Sequence, residues 1–283
     1  MQDTPIGHYE NFPVASILCP PHLRAPIAAI YHFARTADDI ADEGNADSQA
    51  RLQSLAEYRE QLHLAAQADT PASAFHRQWQ PVFSSLQRAI ASHGLHLALL
   101  NDLLDAFVQD IEKTRDGAGY ATDAELLDYC RRSANPVGRL LLQLYGVNDP
   151  ESLEKSDAIC SALQLINFWQ DPSVDIPRGR HYFTAELLAS RGVNAADVAA
   201  QRQTPQATAM IRQCVQSARA LMHMGAPLVH RVPGRAGWEL RLVVQGGLRI
   251  LDKIETMGFA TLNARPRLYA WDYAVLLWRA LWM

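Results

Sequence analysis

Apolar side chains recur along this chain at three- and four-residue steps almost from end to end, the spacing that places them on one stripe of an α-helix. Residues 23–40 (LRAPIAAIYHFARTADDI) carry this period. Pro26 is tolerable there if it falls in the first turn, where its missing N–H has no partner to lose. The same period runs through 51–66, 82–91, 95–113, 123–147 and 156–170, and again through 207–222, 236–257 and 267–282. The gaps hold turn residues: Gly94, Gly117 and Gly119, Asn148-Asp149-Pro150, and Pro177-Arg178-Gly179. Strand-like alternation is nearly absent, and no internal repeat, low-complexity run or interdomain linker breaks the pattern. The expectation is an all-α fold with residues 1–283 in one domain, large for a single core.

Two acidic clusters interrupt the apolar stripes. The first is Arg35-Thr-Ala-Asp38-Asp39-Ile-Ala-Asp42-Glu43. Positions four apart are only about 40° apart around a helix axis, so Asp38 and Asp42 project from one face. Two bare carboxylates there repel. A hard cation removes that repulsion, and Mg²⁺ takes oxygen ligands that it shares with substrate phosphates. The second cluster is Gln164-Leu-Ile-Asn167-Phe-Trp-Gln-Asp171-Pro-Ser-Val-Asp175. Gln164, Asn167 and Asp171 share a face, and Asp175 joins it if the helix continues past Pro172, which can cap or kink that turn. Asn167 and Asp171 sit among Leu163, Leu165, Ile166, Phe168 and Trp169, a run expected to be largely buried, and buried acids need partners. A lone D-x-x-x-D is usually a solvated helix face. Two such pairs, each with an amide or Arg on the same face and apolar helix around it, point instead to cations that clamp a diphosphate beside a dry pocket.

Composition narrows the reading. Of the 283 residues 48% are apolar and 20% charged, as in ordinary folded chains. The formal net charge of −4 argues against broad nucleic-acid binding, which needs a basic footprint. Cys19, Cys130, Cys160 and Cys214 form no C-x-x-C, so buried reduced thiols are expected. The ten histidines form no metal spacing. The N-terminus has no basic and apolar leader pattern, and no apolar run approaches a membrane span, so a cytoplasmic protein is expected. Residues 273–283 (YAVLLWRALWM) are apolar and Trp-rich. They read as a packed terminal helix, with peripheral contact at a membrane surface as the alternative.

At this point the chain resembles the squalene/phytoene synthase family over most of its length. His8-Tyr-Glu-Asn11-Phe12 is similar to the family's N-terminal segment, and Tyr31 with Arg35-x-x-Asp38-Asp39-x-x-Asp42 to its first aspartate motif. The segment from Tyr129 to Gly138 (YCRRSANPVG) resembles its Tyr-Cys…Val-x-Gly helix. Gln164 to Asp175 matches the second motif, and Arg178-Gly179-Arg180-x-Tyr182 the phosphate-side segment after it. The helix around Arg249, Asp252 and Glu255 resembles the late family helix, and Arg265 lies where a diphosphate-facing Arg is expected. The resemblance implies the all-α isoprenoid (terpenoid) synthase bundle with a central active-site cavity. Departures at Arg131, Ser133 and Asn135, and Gly247 where relatives often carry Tyr, look most like the bacterial hydroxysqualene synthase branch. That branch is implied to convert presqualene diphosphate and water to hydroxysqualene and diphosphate in squalene and hopanoid biosynthesis.

On this reading Asp38, Asp39, Asp42, Asp171 and Asp175 serve Mg²⁺. Arg35, Arg178, Arg180 and Arg265 neutralise phosphate oxygens, a bidentate task suited to Arg, and Tyr182 adds a hydrogen bond. His8, Phe12 and Tyr31 fall on the substrate side. Phe12, Tyr31, Phe168 and Trp169 are candidate walls for a carbocation, or plain core. Tyr129, Asn135, Gln164 and Asn167 are the candidates to place the capturing water, though Asn135-Pro136 also reads as a simple helix kink. The rivals are a head-to-head prenyl synthase making phytoene, dehydrosqualene or presqualene diphosphate, a non-catalytic prenyl-lipid-binding or assembly factor, and a terpene cyclase. A product this insoluble implies a passing contact with membrane or a downstream enzyme.

Overall fold

The computed structural model describes residues 19–67 and 69–283. His8 and Phe12 lie outside the described residues. All the regular structure described is helical, with no strand among the described residues.

The first half folds as α1 (Pro21–Asp42), α2 (Ser48–Ala65), α3 (Gln80–His93) and α4 (Leu97–Asp116). Local chemistry sets their ends. Asp47 caps α2 by accepting from the Ala50 N–H at 2.8 Å. Gly94 and Gly117 close α3 and α4 in the left-handed conformation, at φ of 61° and 60°. These helices pack around aromatic rings. Tyr58 lies 5.3 Å from Phe33, 4.7 Å from Phe83 and 5.1 Å from Trp79, centroid to centroid. Its hydroxyl donates to the Phe33 carbonyl at 3.1 Å, so a fully buried phenol is satisfied. Phe33, Ala37 and Ala41 turn the inner face of α1 toward this cluster. Asp38 and Asp42 follow Ala37 and Ala41 by one step, about 100° around the axis, and so emerge beside the core.

The second half is α5 (Asp123–Ser133), α6 (Asn135–Leu144), α7 (Pro150–Gln170), the single turn α8 (Pro172–Asp175), the short α9 (Ala185–Ser190) and α10 (Ala195–Ala199), then α11 (Pro205–Gly225), α12 (Gly234–Thr256) and α13 (Ala270–Leu281). Helix α7 runs through the core between α6, α11 and α12. Glycines let its neighbours come close. A Cβ at Gly225 would lie 2.6 Å from the Lys155 carbonyl oxygen and from Ile159 Cγ1. At Gly247 it would meet Met222 Cε at 2.8 Å, so a bulky residue does not fit there unless that packing shifts.

Three expectations are corrected. The period over 123–147 is not one helix: it breaks at Ala134 (φ −121°, ψ −47°) into α5 and α6. Pro136 has no N–H for the Arg132 carbonyl, and its ring would crowd that carbonyl. Pro26 is not in the first turn, because α1 starts at Pro21; the bond it lacks is to His22, whose exposed position lets water take its place. The last helix begins at Ala270 rather than 267. Helices α9 and α10 are too short to show a period. Cys19, Cys130 and Cys214 are buried free thiols as expected, and Cys160 is half-buried and free.

Candidate active site

The C-terminal turn of α1 carries the first acid pair. Arg35 is spent on its own helix: it reaches Asp38 at 2.9 Å, Asp39 at 2.8 Å and Glu43 at 2.9 Å. It bridges these acids and also lines the cleft that Asp38 and Asp42 face. Asp39 is turned into this bridge and does not line the cleft that Asp38 and Asp42 face. Burial, and next the like charge of Asp42, push the Asp38 carboxyl up to about 6. Arg51, from α2, fixes the chain just beyond. Its guanidinium donates to the carbonyls of Ile40 (3.0 Å), Gly44 (2.9 Å) and Ala46 (3.0 Å). Those bonds hold the end of α1, and so the height of Asp42.

The second pair straddles the end of α7. The helix stops at Asp171 (φ −109°, ψ 16°), because Pro172 has no N–H to continue it. It restarts at once, and the Asp175 N–H donates to the Asp171 carbonyl at 2.9 Å. The kink foreseen at Pro172 is present, and the acids still fall one turn apart. Asp171 is ion-paired to Arg265 Nε at 2.6 Å, and Asp175 lies in the fields of Arg180, Arg178 and Arg265. Burial, then the Asp171 charge, push Asp175 up to about 6. Burial also raises Asp171 against the pull of Arg265.

Arg180 joins the two pairs. It follows the left-handed turn at Gly179 (φ 77°), and its guanidinium bonds Asp42 across 138 residues of sequence. Burial works against its charge, but the Asp42 bond outweighs it and the guanidinium stays firmly cationic. Its field also acts on Asp38 and Asp175. In front of it opens a cleft of about 770 Å³, lined among others by Arg35, Asp38, Asp42, Asp110, Arg178 and Arg180. Asp171 and Asp175 are outside that lining; the charge of Arg178, which is in it, acts on both, and that of Arg180 on Asp175.

Asp110 is the residue the sequence reading missed. It comes from α4, in the apolar stretch Phe107 to Ile111, with Ala106 and Thr114 one turn away. No second acid at that spacing marks it. Its carboxylate accepts from the Tyr129 hydroxyl at 2.6 Å. Burial pushes Asp110 up to about 7 despite that bond and the nearby Arg180. Burial raises the Tyr129 phenol well above its usual value too, so it stays protonated and donates. Tyr129 packs against Phe168 and Tyr120, and Phe168 stacks on Tyr182 at 3.7 Å. Phe168 and Trp169 are buried core, Trp169 stacking on Phe183 at 5.3 Å.

The remaining candidates are scattered in character. Asn135 is buried, and its Oδ1 accepts from Ser161 Oγ at 2.8 Å, tying α6 to α7. Gln164 is half-buried, and Asn167 is exposed, contrary to the burial expected of its surroundings. Tyr31 is half-buried on α1, edge-on to His32 at 5.5 Å. Arg178 is exposed at the cleft mouth.

Among the described residues no three His, Cys, Asp or Glu side chains converge to cage a cation. The acids stand as pairs, and Asp38, Asp110 and Asp175 all hold their protons too tightly for bare carboxylates. That fits Mg²⁺, which takes one or two carboxylates and completes its shell with phosphate oxygens and water.

The squalene/phytoene synthase family model matches residues 7–272. The hydroxysqualene synthase of Rhodopseudomonas palustris is 33% identical over 251 residues, covering 87% of this chain and 80% of that one. The presqualene diphosphate synthase of the same organism is 29% identical over 91% of this chain and 88% of its own length. In three dimensions, the crystal structure of squalene synthase HpnC from Alicyclobacillus acidocaldarius superposes with a TM-score of 0.79 at 36% identity, over 89% of this chain and 90% of that one.

Proposed function

The chain belongs to the squalene/phytoene synthase family, and from that premise we propose that it converts presqualene diphosphate and water to hydroxysqualene and diphosphate. The coarser conclusion stands by itself: its relatives make it an isoprenoid synthase of the head-to-head prenyl type. The similarity to hydroxysqualene synthases supports the finer reading. The observation that carries it is the cleft where Asp38, Asp42 and Asp110 meet Arg178 and Arg180.

In this proposal Arg178 and Arg180 bind the diphosphate and take up the charge that grows on it as the C–O bond breaks with its electron pair. Asp38, Asp42, Asp171 and Asp175 would hold Mg²⁺, which would supply further neutralisation of that leaving group. Arg265 holds Asp171 in place. The cyclopropylcarbinyl cation left behind opens and rearranges against apolar and aromatic walls, where excluded water cannot quench it at random. One water then adds, forming the new C–O bond, and must lose a proton. In this reading Tyr129 and Asp110 take it: the phenol oxygen accepts while its own proton crosses the 2.6 Å bond to Asp110. An acid near 7 is matched to that task at neutral pH.

The test is incubation of the purified chain with presqualene diphosphate, with and without Mg²⁺, followed by extraction and gas chromatography–mass spectrometry. Farnesyl and geranylgeranyl diphosphates run in parallel. Hydroxysqualene formed from presqualene diphosphate only with Mg²⁺ is the expected result. Untouched presqualene diphosphate, with phytoene, dehydrosqualene or presqualene diphosphate made from the shorter substrates, would overturn the reading. Binding without turnover of any of them would assign the chain to the prenyl-lipid-binding alternative.

A further inference from the structure

Helix α13 is inside out for a surface helix. Its one acid, Asp272, is fully buried and takes Arg249 Nε, Lys253 Nζ and the Tyr269 N–H, each at 2.7 Å. Its one base, Arg279, reaches inward to Asp252 at 2.7 Å. The outward face is left with Trp271, Tyr273, Leu277, Trp278, Leu281 and Trp282, without a charge among them. Trp278 is 63% exposed and Trp282 77%. Trp238 of α12 extends the patch, since Arg241 lies over its ring and donates to the Ala280 carbonyl at the end of α13. At roughly 100–150 Å² exposed each, these side chains present on the order of 800 Å² of apolar surface. A typical monomer's largest patch is about 300–600 Å².

We propose that this face docks on an anionic phospholipid bilayer, with α13 lying in the plane of the headgroups. Charge singles out that occupant. Residues 231–283 hold eight Lys and Arg against four Asp and Glu, in a chain whose formal net charge is −4. Of these cations Arg231 pairs with Asp149 and Glu151 and Arg265 with Asp171, outside the segment; at the patch itself Arg241, Arg249 and Lys253 stand beside one carboxylate, Asp272, which leaves the rim positive. A twofold dimer would press the same positive face against itself, and like charges oppose that. Anionic headgroups complement it. The side chains agree. Four of the chain's six tryptophans lie in the patch, and indole favours the boundary between headgroups and acyl chains. Arg249 and Lys253 flank the Trp271 ring at 4.8 and 4.6 Å, and Arg241 flanks Trp238 at 4.7 Å, which sets cations at the rim of the apolar face. At 12 residues α13 is about 18 Å long, too short to cross a bilayer but suited to lying on one. None of this depends on the reaction proposed above.

The test is flotation of the full chain through a sucrose gradient with vesicles of phosphatidylcholine alone or mixed with phosphatidylglycerol. The chain is expected to float with the mixed vesicles, less with neutral ones, and less as salt is raised. Trp278→Ala/Trp282→Ala and Leu277→Asp change only exposed positions. Each should keep the parent melting temperature and turnover of soluble substrate, and lose vesicle partitioning by about tenfold or more. The proposal falls if the parent chain stays unbound to both vesicles, or if the variants float as it does. It also falls if the parent is a dimer that the variants dissociate and no vesicle binding is seen, which would assign the face to a second copy.

Discussion

Tyr129→Phe removes one hydroxyl and leaves the Asp110 carboxylate without its 2.6 Å donor. The cost depends on charge. At pH 8, above its value of about 7, Asp110 is mainly ionised. A hydrogen bond to a charged group contributes about 1.5–3 kcal/mol, so a loss of about 2 kcal/mol is expected. For a chain this long that is a fall of roughly 4–8 °C in melting temperature. At pH 5.5 Asp110 is protonated, the bond is neutral, and the loss should shrink to about 1 kcal/mol. Asp110→Asn keeps an acceptor but removes the charge, so Tyr129→Phe made in that background should cost about 1 kcal/mol or less at both pH values. The double-mutant cycle at pH 8 should therefore show coupling near 1 kcal/mol, read by urea unfolding followed by circular dichroism. The sign of the pH dependence follows from linkage. A carboxyl raised in the fold binds a proton there between its unfolded value near 4 and about 7, so its contribution to stability falls as pH rises through that window. Asp110→Asn should accordingly gain on the parent chain between pH 5.5 and pH 8. A loss on Tyr129→Phe that is equal at both pH values, or a cycle that closes within about 0.3 kcal/mol, would refute the charged pair.

Three further outcomes are expected. Arg180→Ala, which loses the Asp42 bond and the charge facing the cleft, should lower kcat/KM on the diphosphate substrate by about 10²–10³, with Arg180→Lys between; a loss under tenfold would exclude Arg180 from the chemistry. Mg²⁺ with inorganic pyrophosphate should raise the melting temperature more at pH 8 than at pH 5.5, because Asp38 and Asp175, both pushed up to about 6, must ionise to hold a cation; Asp38→Asn with Asp175→Asn should abolish the shift, and a shift that survives would place the cation elsewhere. Gly225→Ala should destabilise by about 1–3 kcal/mol in urea, since the new methyl would strike backbone 2.6 Å away on α7; an unchanged midpoint would show that α7 and α11 have room to part.

The helical class, eight of the long apolar stripes and both aspartate pairs could be read from the chain, because each is a property of neighbours within one or two turns. Asp38 and Asp42 needed only the helix period, and the break that Pro172 imposes is equally local. The family resemblance also marked Arg178, Arg180 and Arg265 as phosphate-side residues, without their partners. The partnerships were not legible. Arg180 reaches Asp42 across 138 positions, Arg265 reaches Asp171, and Asp110 finds Tyr129 through packing of α4 on α5. Each of these depends on which helix faces lie together, and a one-dimensional pattern carries no such information. The split at Ala134 shows the converse: an unbroken apolar period hid a break that one proline ring imposed. In α13 the sequence specified an amphipathic, Trp-rich helix but not which side would face the protein. The tertiary structure decided that, because the carboxylate of Asp272 is worth burying only where Arg249, Lys253 and a backbone N–H already wait for it, and turning it inward leaves the tryptophans outside.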